Sequence, residues 1–347
     1  MASLDQPPAR AAESDSAENP IDPDSSLVHR ACPLCASVES QVVISSRDRL
    51  LQVPGWFHVS RCSRCGALFQ NPCIAPELLE RYYPDHYESY SLPEKQISDT
   101  ARWLLRKRKG YFHLDAGPAP GPMRRLFAAW SAGAQMLPDY VPDGKLLEIG
   151  CASGERLSLL RELGWSECAG IEYNLQAARR ACERGFQVYP GPVEHNIDRF
   201  TPGSLDVIIA GSVLEHLPDP QLFIRSVAAK LKPGGQLILS TITVDSLDFR
   251  IYRECWYNLD LPRHFTLFRK IDLRRLISKH FVLTGRYHQY SLNDFQKSAL
   301  CRSRRKKMLL DGIVLKAGGY LTPVCQALAL LGRTSRICLY ARRKQLQ

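Results

Sequence analysis

From Lys145 onward the chain alternates short apolar runs with amphipathic stretches. The runs "KLLEI", "ECAGIE", "FQVYPG", "SLDVIIAGS" and "GQLILSTI" have strand composition, and segments such as "RLSLLRELG" between them have helical spacing. Strands that alternate with helices leave few topologies open. The one they favour is α/β, a doubly wound, mostly parallel sheet with helices on both faces. Two later runs, "HFVLTGRYHQ" and "RICLYARR", read as a final strand pair, with a mostly helical excursion over about 290–334 between them.

The first strand runs into a turn and a helix as "LLEIGCASGERLSLL", Leu146 to Leu160. Strand, Gly-containing turn and helix is how an open α/β sheet begins a nucleotide site. A phosphate-binding loop needs Lys and then Ser or Thr after its last glycine, and Glu155 and Arg156 stand there instead. A dinucleotide fingerprint needs three glycines, and only Gly150 and Gly154 are available. Glu148, two residues before the turn, would repel a pyrophosphate and attract a cationic ligand. Glu172 ends the second strand, 22 positions after Gly150, where a carboxylate can accept hydrogen bonds from both ribose hydroxyls of a nucleoside.

Upstream, Cys32 and Cys35 in "CPLC" and Cys62 and Cys65 in "CSRCG" form two C-x-x-C pairs. Each pair can present two thiolates from one tight turn, and together they complete a tetrahedral S4 site for structural zinc. Such a closed site has no open coordination position for catalysis. Twelve cysteines without an N-terminal apolar leader favour a reducing, cytoplasmic compartment and metal binding over disulfides. The tyrosine-dense "RYYPDHYESYS", Arg81 to Ser91, is either a packing segment or a lid over a sugar or lipid substrate.

Charge is distributed unevenly. Residues 244–347 hold 21 basic and 7 acidic residues, whereas 144–243 are near neutral. A basic excess of that size points to an anionic partner: a phosphorylated substrate, a membrane surface or RNA. "RSRRKK", Arg302 to Lys307, precedes an apolar stretch, and that combination could lie on the inner face of a membrane; a helical cover on the sheet or a dimer interface is the plainer alternative. Regular aromatic interleaving among the basic residues is missing, which argues against nucleic acid. The expected organisation is an unstructured tail over 1–28, a zinc-ribbon module over 29–95, a helical connector over 96–143 and the α/β domain over 144–347. The oligomeric state is left open.

"LLEIGCASG", "GIEYN", "SLDVIIAGSVLEHLPDP" and "LKPGGQLILST" resemble, in order and spacing, the motifs of class I S-adenosylmethionine-dependent methyltransferases. The cysteine pairs and "WYNLDLPRHFTLF" make the chain similar to zinc-ribbon methyltransferases of bacterial glycan and secondary-metabolite pathways. The resemblance implies a seven-stranded Rossmann-like sheet, S-adenosyl-L-methionine as cofactor and methyl transfer to an oxygen, or else a carbon, of a sugar, glycan or related metabolite. It assigns Gly150 and Gly154 to the turn around the methionine part, Glu148 to the amino group and Glu172 to the ribose. Val193 and Glu194 would border the adenine, and Ser212 would face the cofactor after the fourth strand. Ala152 stands where the family often has glycine. His264, in "LPRHFTLF", is the candidate general base, since a neutral imidazole can take the acceptor's proton near pH 7. His216, in "LEHLPDP", competes for that role. Ubiquinone-type O-methyltransferases carry metal ligands in a related segment, but Ser212 replaces its first acid here and leaves Glu215 and His216. An RNA methyltransferase and a non-catalytic scaffold are the rival readings.

Overall fold

The computed structural model describes residues 27–75, 78–79, 82–83, 97–115, 117–119, 121, 136–305 and 308–345. Most of the expected tail and of the tyrosine-dense segment, together with 122–135 of the expected helical connector, lies outside these residues.

Among the described residues, the α/β half forms a seven-stranded sheet. Its strands are β6 (Lys145–Ile149), β7 (Glu167–Glu172), β8 (Gln187–Pro190), β9 (Leu205–Gly211), β10 (Leu231–Ile242), β12 (Phe281–Gln289) and β13 (Arg336–Arg343). They lie in the order β12-β13-β10-β9-β6-β7-β8. The five strands from β6 to β10 run parallel, and β13 runs antiparallel to both β10 and β12. Alternate residues fill two cores. Leu147, Ile149, Ile208, Ala210, Leu237 and Leu239 face Phe223 and Ile224, whereas Leu146, Val207, Ile209 and Ile238 face Leu157, Leu160 and Ala181. Burial on both faces accounts for strands that are apolar throughout. Gln236, early in β10, is buried and accepts the Asp139 N–H at 2.9 Å.

The N-terminal half contributes β1 (Leu27–Val28), β2 (Ser40–Ser46), β3 (Phe57–Cys62), β4 (Leu68–Gln70) and β5 (Cys73–Ile74). Leu27 and Val28, placed by sequence in the unstructured tail, pair with Ile74 and Cys73, whose burial gives the two apolar residues a partner. The second sheet has the order β11-β4-β3-β2, and β11 (Thr266–Leu267) comes from the far half of the chain. The expected boundary between module and α/β domain is therefore crossed by a shared sheet.

That junction is also polar. Arg263 is wholly buried and donates to both oxygens of Asp48, at 2.7 and 2.8 Å, and to Asp260 at 2.6 and 2.9 Å. Arg269 donates to the Cys65 carbonyl at 2.7 Å, and Gln221 to the Pro33 carbonyl at 2.9 Å. Replacing Asp48 by Ala strands part of a buried guanidinium charge, and such losses cost about 3 kcal/mol or more. We expect Asp48→Ala to lower the urea midpoint accordingly; an unchanged midpoint would sink this account of the junction.

Candidate active site

The sheet reverses its winding at β6, which has β7 on one side and β9 on the other. Ligand crevices in open α/β sheets lie at the carboxyl ends of strands beside such a reversal. Here the turn after β6 begins with Gly150 at φ 73°, and a Cβ at Gly150 would sit 2.7 Å from Val213 Cγ2. Gly154 (φ 85°) caps the following helix, Glu155–Glu162. Ala152 holds φ 49° despite its methyl group, and Ser212, just past β9, holds φ 54°. Asp260 lies at φ 33°. Left-handed backbone at non-glycine residues costs energy and gathers at functional sites.

Two carboxylates line the turn. Glu172 is buried and accepts the N–H of Ala152 at 2.8 Å on one oxygen and that of Asn174 at 2.9 Å on the other. Burial pushes its pKa up, against those donors. Each oxygen retains a lone pair for a ligand hydroxyl. Glu148 is also buried, and burial raises it to about 7, with Arg156 opposing and Glu172 and Glu155 reinforcing. Arg156 binds its Oε1 at 2.9 Å, an ion pair that sequence reading did not anticipate. Its Oε2 is buried with no hydrogen-bond partner among the described residues. An orphaned carboxylate oxygen of this kind fits a cationic ligand group and disfavours a phosphate. The site residues expected at the adenine edge separate in environment: Val193 is buried and packs in the first core, whereas Glu194 is exposed. The Gly191 N–H, two residues earlier, donates to the Glu172 carbonyl at 2.8 Å.

The two histidines that compete in the sequence meet in the structure. Their rings stand 4.5 Å apart, centroid to centroid, at 72°. The segment around His264 is pinned to that of His216 by the Phe265 N–H, which donates to the Glu215 carbonyl at 2.8 Å. His264 Nδ1 donates to the Asn258 carbonyl at 2.9 Å. A carbonyl can only accept, so the neutral ring carries its proton on Nδ1 and leaves Nε2 unprotonated. Asp260 Oδ2 lies 3.8 Å from that Nε2. Burial holds His264 below its usual pKa, and burial together with His264 lowers His216 to about 4. Asp260 stays ionised: burial opposes this, but Arg263 and His264 outweigh it and bring the carboxyl to about 2. The Tyr83 hydroxyl lies 2.7 Å from His216 Nδ1, so at least one tyrosine of the dense segment reaches the site. Ligand atoms of Glu215, His216 and His264 lie within 4.8 Å of one another. Sequence reading saw the first two as an incomplete set; the third donor comes from 48 residues downstream.

The four cysteines form a second centre. Sγ of Cys32 is 3.6 Å from that of Cys65, and Sγ of Cys35 is 3.5 Å from that of Cys62. A tetrahedral zinc with bonds of about 2.3 Å sets sulfurs about 3.8 Å apart, so the thiols fit that ion. Burial opposes ionisation of these thiols and holds Cys32 and Cys65 up, whereas the N–H groups of Cys65 and Arg64 favour the thiolate at Cys62.

His216 provides a pH test. It takes its proton near 6.5 when unfolded and near 4 when folded, so stability gained from the neutral ring is present above 6.5 and lost as pH falls towards 4. Relative to His216→Gln, the wild type should lose at most about 1.4 kcal/mol per pH unit in that window. Urea titrations at stepped pH check this, and parallel curves for the two proteins would contradict it.

Residues 124–280 match the family model described as "Methyltransferase domain". The ubiquinone biosynthesis O-methyltransferase of Idiomarina loihiensis is 34% identical over 103 residues, 28% of this chain and 42% of that protein. Its counterpart from Xanthomonas campestris pv. campestris is 34% identical over 130 residues, 36% of this chain and 54% of that protein. The chain thus spans about half the length of the curated relatives it matches. A solved S-adenosylmethionine-dependent methyltransferase from Mesorhizobium loti aligns at 16% identity and a TM-score of 0.43, over 62% of this chain and 97% of that one, a likeness too distant to bear on function. The segment 124–280 ends just before β12, and within it lie the five parallel strands and the strand-end carboxylates, so the chain is similar to methyltransferases over that stretch.

Proposed function

We propose that the protein transfers the methyl group of S-adenosylmethionine to an oxygen of a small-molecule acceptor. The observation that carries this reading is the buried Glu148, which keeps one oxygen unpartnered among the described residues, two positions before the Gly150–Gly154 turn. Glu148 would hold the amino group of the cofactor, Glu172 its ribose hydroxyls, and Gly150 and Gly154 would let the backbone approach its methionine part. Ser212, Val193 and Glu194 would border the remainder. The cofactor supplies an activated methyl on a sulfonium; the chain orients the acceptor and removes its proton. His264, with a bare Nε2 in a water-poor setting and Asp260 nearby to stabilise the imidazolium, would be the base, and His216 with Tyr83 would fix its orientation. The named relatives act in ubiquinone biosynthesis; the sugar or glycan acceptor expected from sequence remains one class to search.

One experiment separates the roles. S-Adenosylhomocysteine should bind more tightly as pH rises from about 6 to about 8, because Glu148 must ionise to attract its ammonium group. Glu148→Gln should bind weakly with little of that pH dependence. His264→Ala should bind like the wild type, yet transfer labelled methyl from S-adenosylmethionine into cell-extract fractions roughly 10²- to 10⁴-fold more slowly. Wild-type binding by Glu148→Gln, or wild-type transfer by His264→Ala, would remove the corresponding role. Label released by RNase would favour the RNA reading, and failure to bind cofactor would favour a scaffold.

A second reading rests on the Glu215, His216 and His264 cluster: one carboxylate and two neutral imidazoles suit a divalent transition metal. Metal content distinguishes it from the base reading. We expect one zinc per chain, held by Cys32, Cys35, Cys62 and Cys65 and lost in Cys62→Ser. His264→Ala should leave the metal content unchanged; a second equivalent that disappears in that variant would make His264 a ligand.

A further inference from the structure

The segment 308–331 leaves many of its large apolar side chains exposed. Leu309 is 83% exposed, Tyr320 92%, Leu330 66% and Leu331 72%, and Ile313 and Val324 are exposed with them. Leu309 and Ile313 are one turn apart on the helix Leu309–Ala317, and Val324 and Leu331 lie two turns apart along and just beyond the helix Thr322–Leu330. Each helix therefore offers an apolar stripe to the outside. Exposed apolar stripes on consecutive elements are uncommon on a free surface and mark an interaction site.

The charges beside these stripes have one sign. Residues 304–333 hold six basic side chains and a single acid, Asp311. Asp311 is wholly buried and is neutralised by Arg302, which donates to it at 2.7 and 2.9 Å. Arg304, Arg305, Lys316 and Arg333 are exposed. We propose that this face docks on an anionic lipid bilayer, with both helices lying in the interfacial plane. Apolar residues would enter the acyl boundary while the arginines and lysine meet the headgroups. Leu309–Leu330 is long and apolar enough, by length and composition, to cross a membrane. The turn Gly318–Leu321 nevertheless divides it into two nine-residue helices, each about 14 Å long against a hydrocarbon core of about 30 Å. A symmetric pairing of two copies through the same face would bring its like-charged rim together, so charge favours lipid over self-association.

The face connects to the active site. The helix Leu292–Ser303 packs beside Leu309–Ala317, and its Asp294 accepts from Asn258 at 3.0 Å and from Arg336 at 2.8 Å. Ser298 accepts the Tyr257 N–H at 2.9 Å, and the Asn258 carbonyl holds His264. This inference deepens the methyltransferase reading and rests on it in one respect: a membrane-bound enzyme of this kind would draw an amphiphilic acceptor from the lipid phase.

The test is co-sedimentation of the full chain with phosphatidylcholine vesicles, with and without phosphatidylglycerol. We expect partition onto the anionic vesicles, its suppression by molar salt, and a loss of roughly thirtyfold in Arg304→Gln/Arg305→Gln, at about 1 kcal/mol per charge. Leu309→Glu/Ile313→Glu should also abolish partition while S-adenosylhomocysteine still binds, which shows the variant folded. Failure of the wild type to partition, equal partition onto neutral vesicles, or a wild-type dimer that this variant converts to monomer would overturn the proposal. Cofactor titration of the same preparations reports separately on the methyltransferase reading.

Discussion

The guanidinium of Arg263 is the point on which both halves of the molecule depend. A buried cation must be paired, and this one is held between Asp48 of the N-terminal half and Asp260 of its own loop. Burial makes the geometry demanding, because losing either carboxylate would leave charge in a poor solvent. The same two ion pairs set the path of residues 260–265, and with it the placement of His264. The N-terminal module is therefore more than an appendage: through Asp48, the shared strand β11 and the Arg269 contact with Cys65, it is joined to the segment that carries His264.

Around that segment, burial sorts the ionisable groups by charge. His216 and His264 are pushed towards neutrality, whereas Asp260 is kept anionic chiefly by Arg263. Before the Gly150 turn, burial raises Glu148 to about 7 against the pull of Arg156. The site thus combines neutral imidazoles with buried carboxylates. A site that handles a cationic group while accepting a proton needs both.

Three of the eight non-glycine residues with positive φ among the described residues belong to this site. Ala152 and Ser212 follow the ends of β6 and β9, and Asp260 lies in the loop that carries His264. At Ala152 that conformation lets the N–H reach Glu172, so a turn without the usual glycine still fixes the carboxylate.

The sequence by itself determined what local periodicity and spacing can encode. Apolar runs alternating with helical segments from Lys145 set the doubly wound sheet, the acid before Gly150 pointed to a cationic ligand, and the two C-x-x-C pairs set a four-thiol cluster. Only the tertiary structure decided what joins across long separations. Asp48 meets Arg263 across 215 residues, Thr266 and Leu267 complete a sheet begun near Ser40, and Tyr83 comes to His216. Arg156 was near enough in sequence to be foreseen as a partner of Glu148, since one strand-turn-helix unit carries both; Asp260, four residues before His264, was likewise in view. Asp48 offered no such signal. The physical reason is that a strand or helix is written in neighbours a few residues apart, whereas a buried ion pair or a three-donor cluster depends on how finished elements pack, and no short stretch of sequence records that.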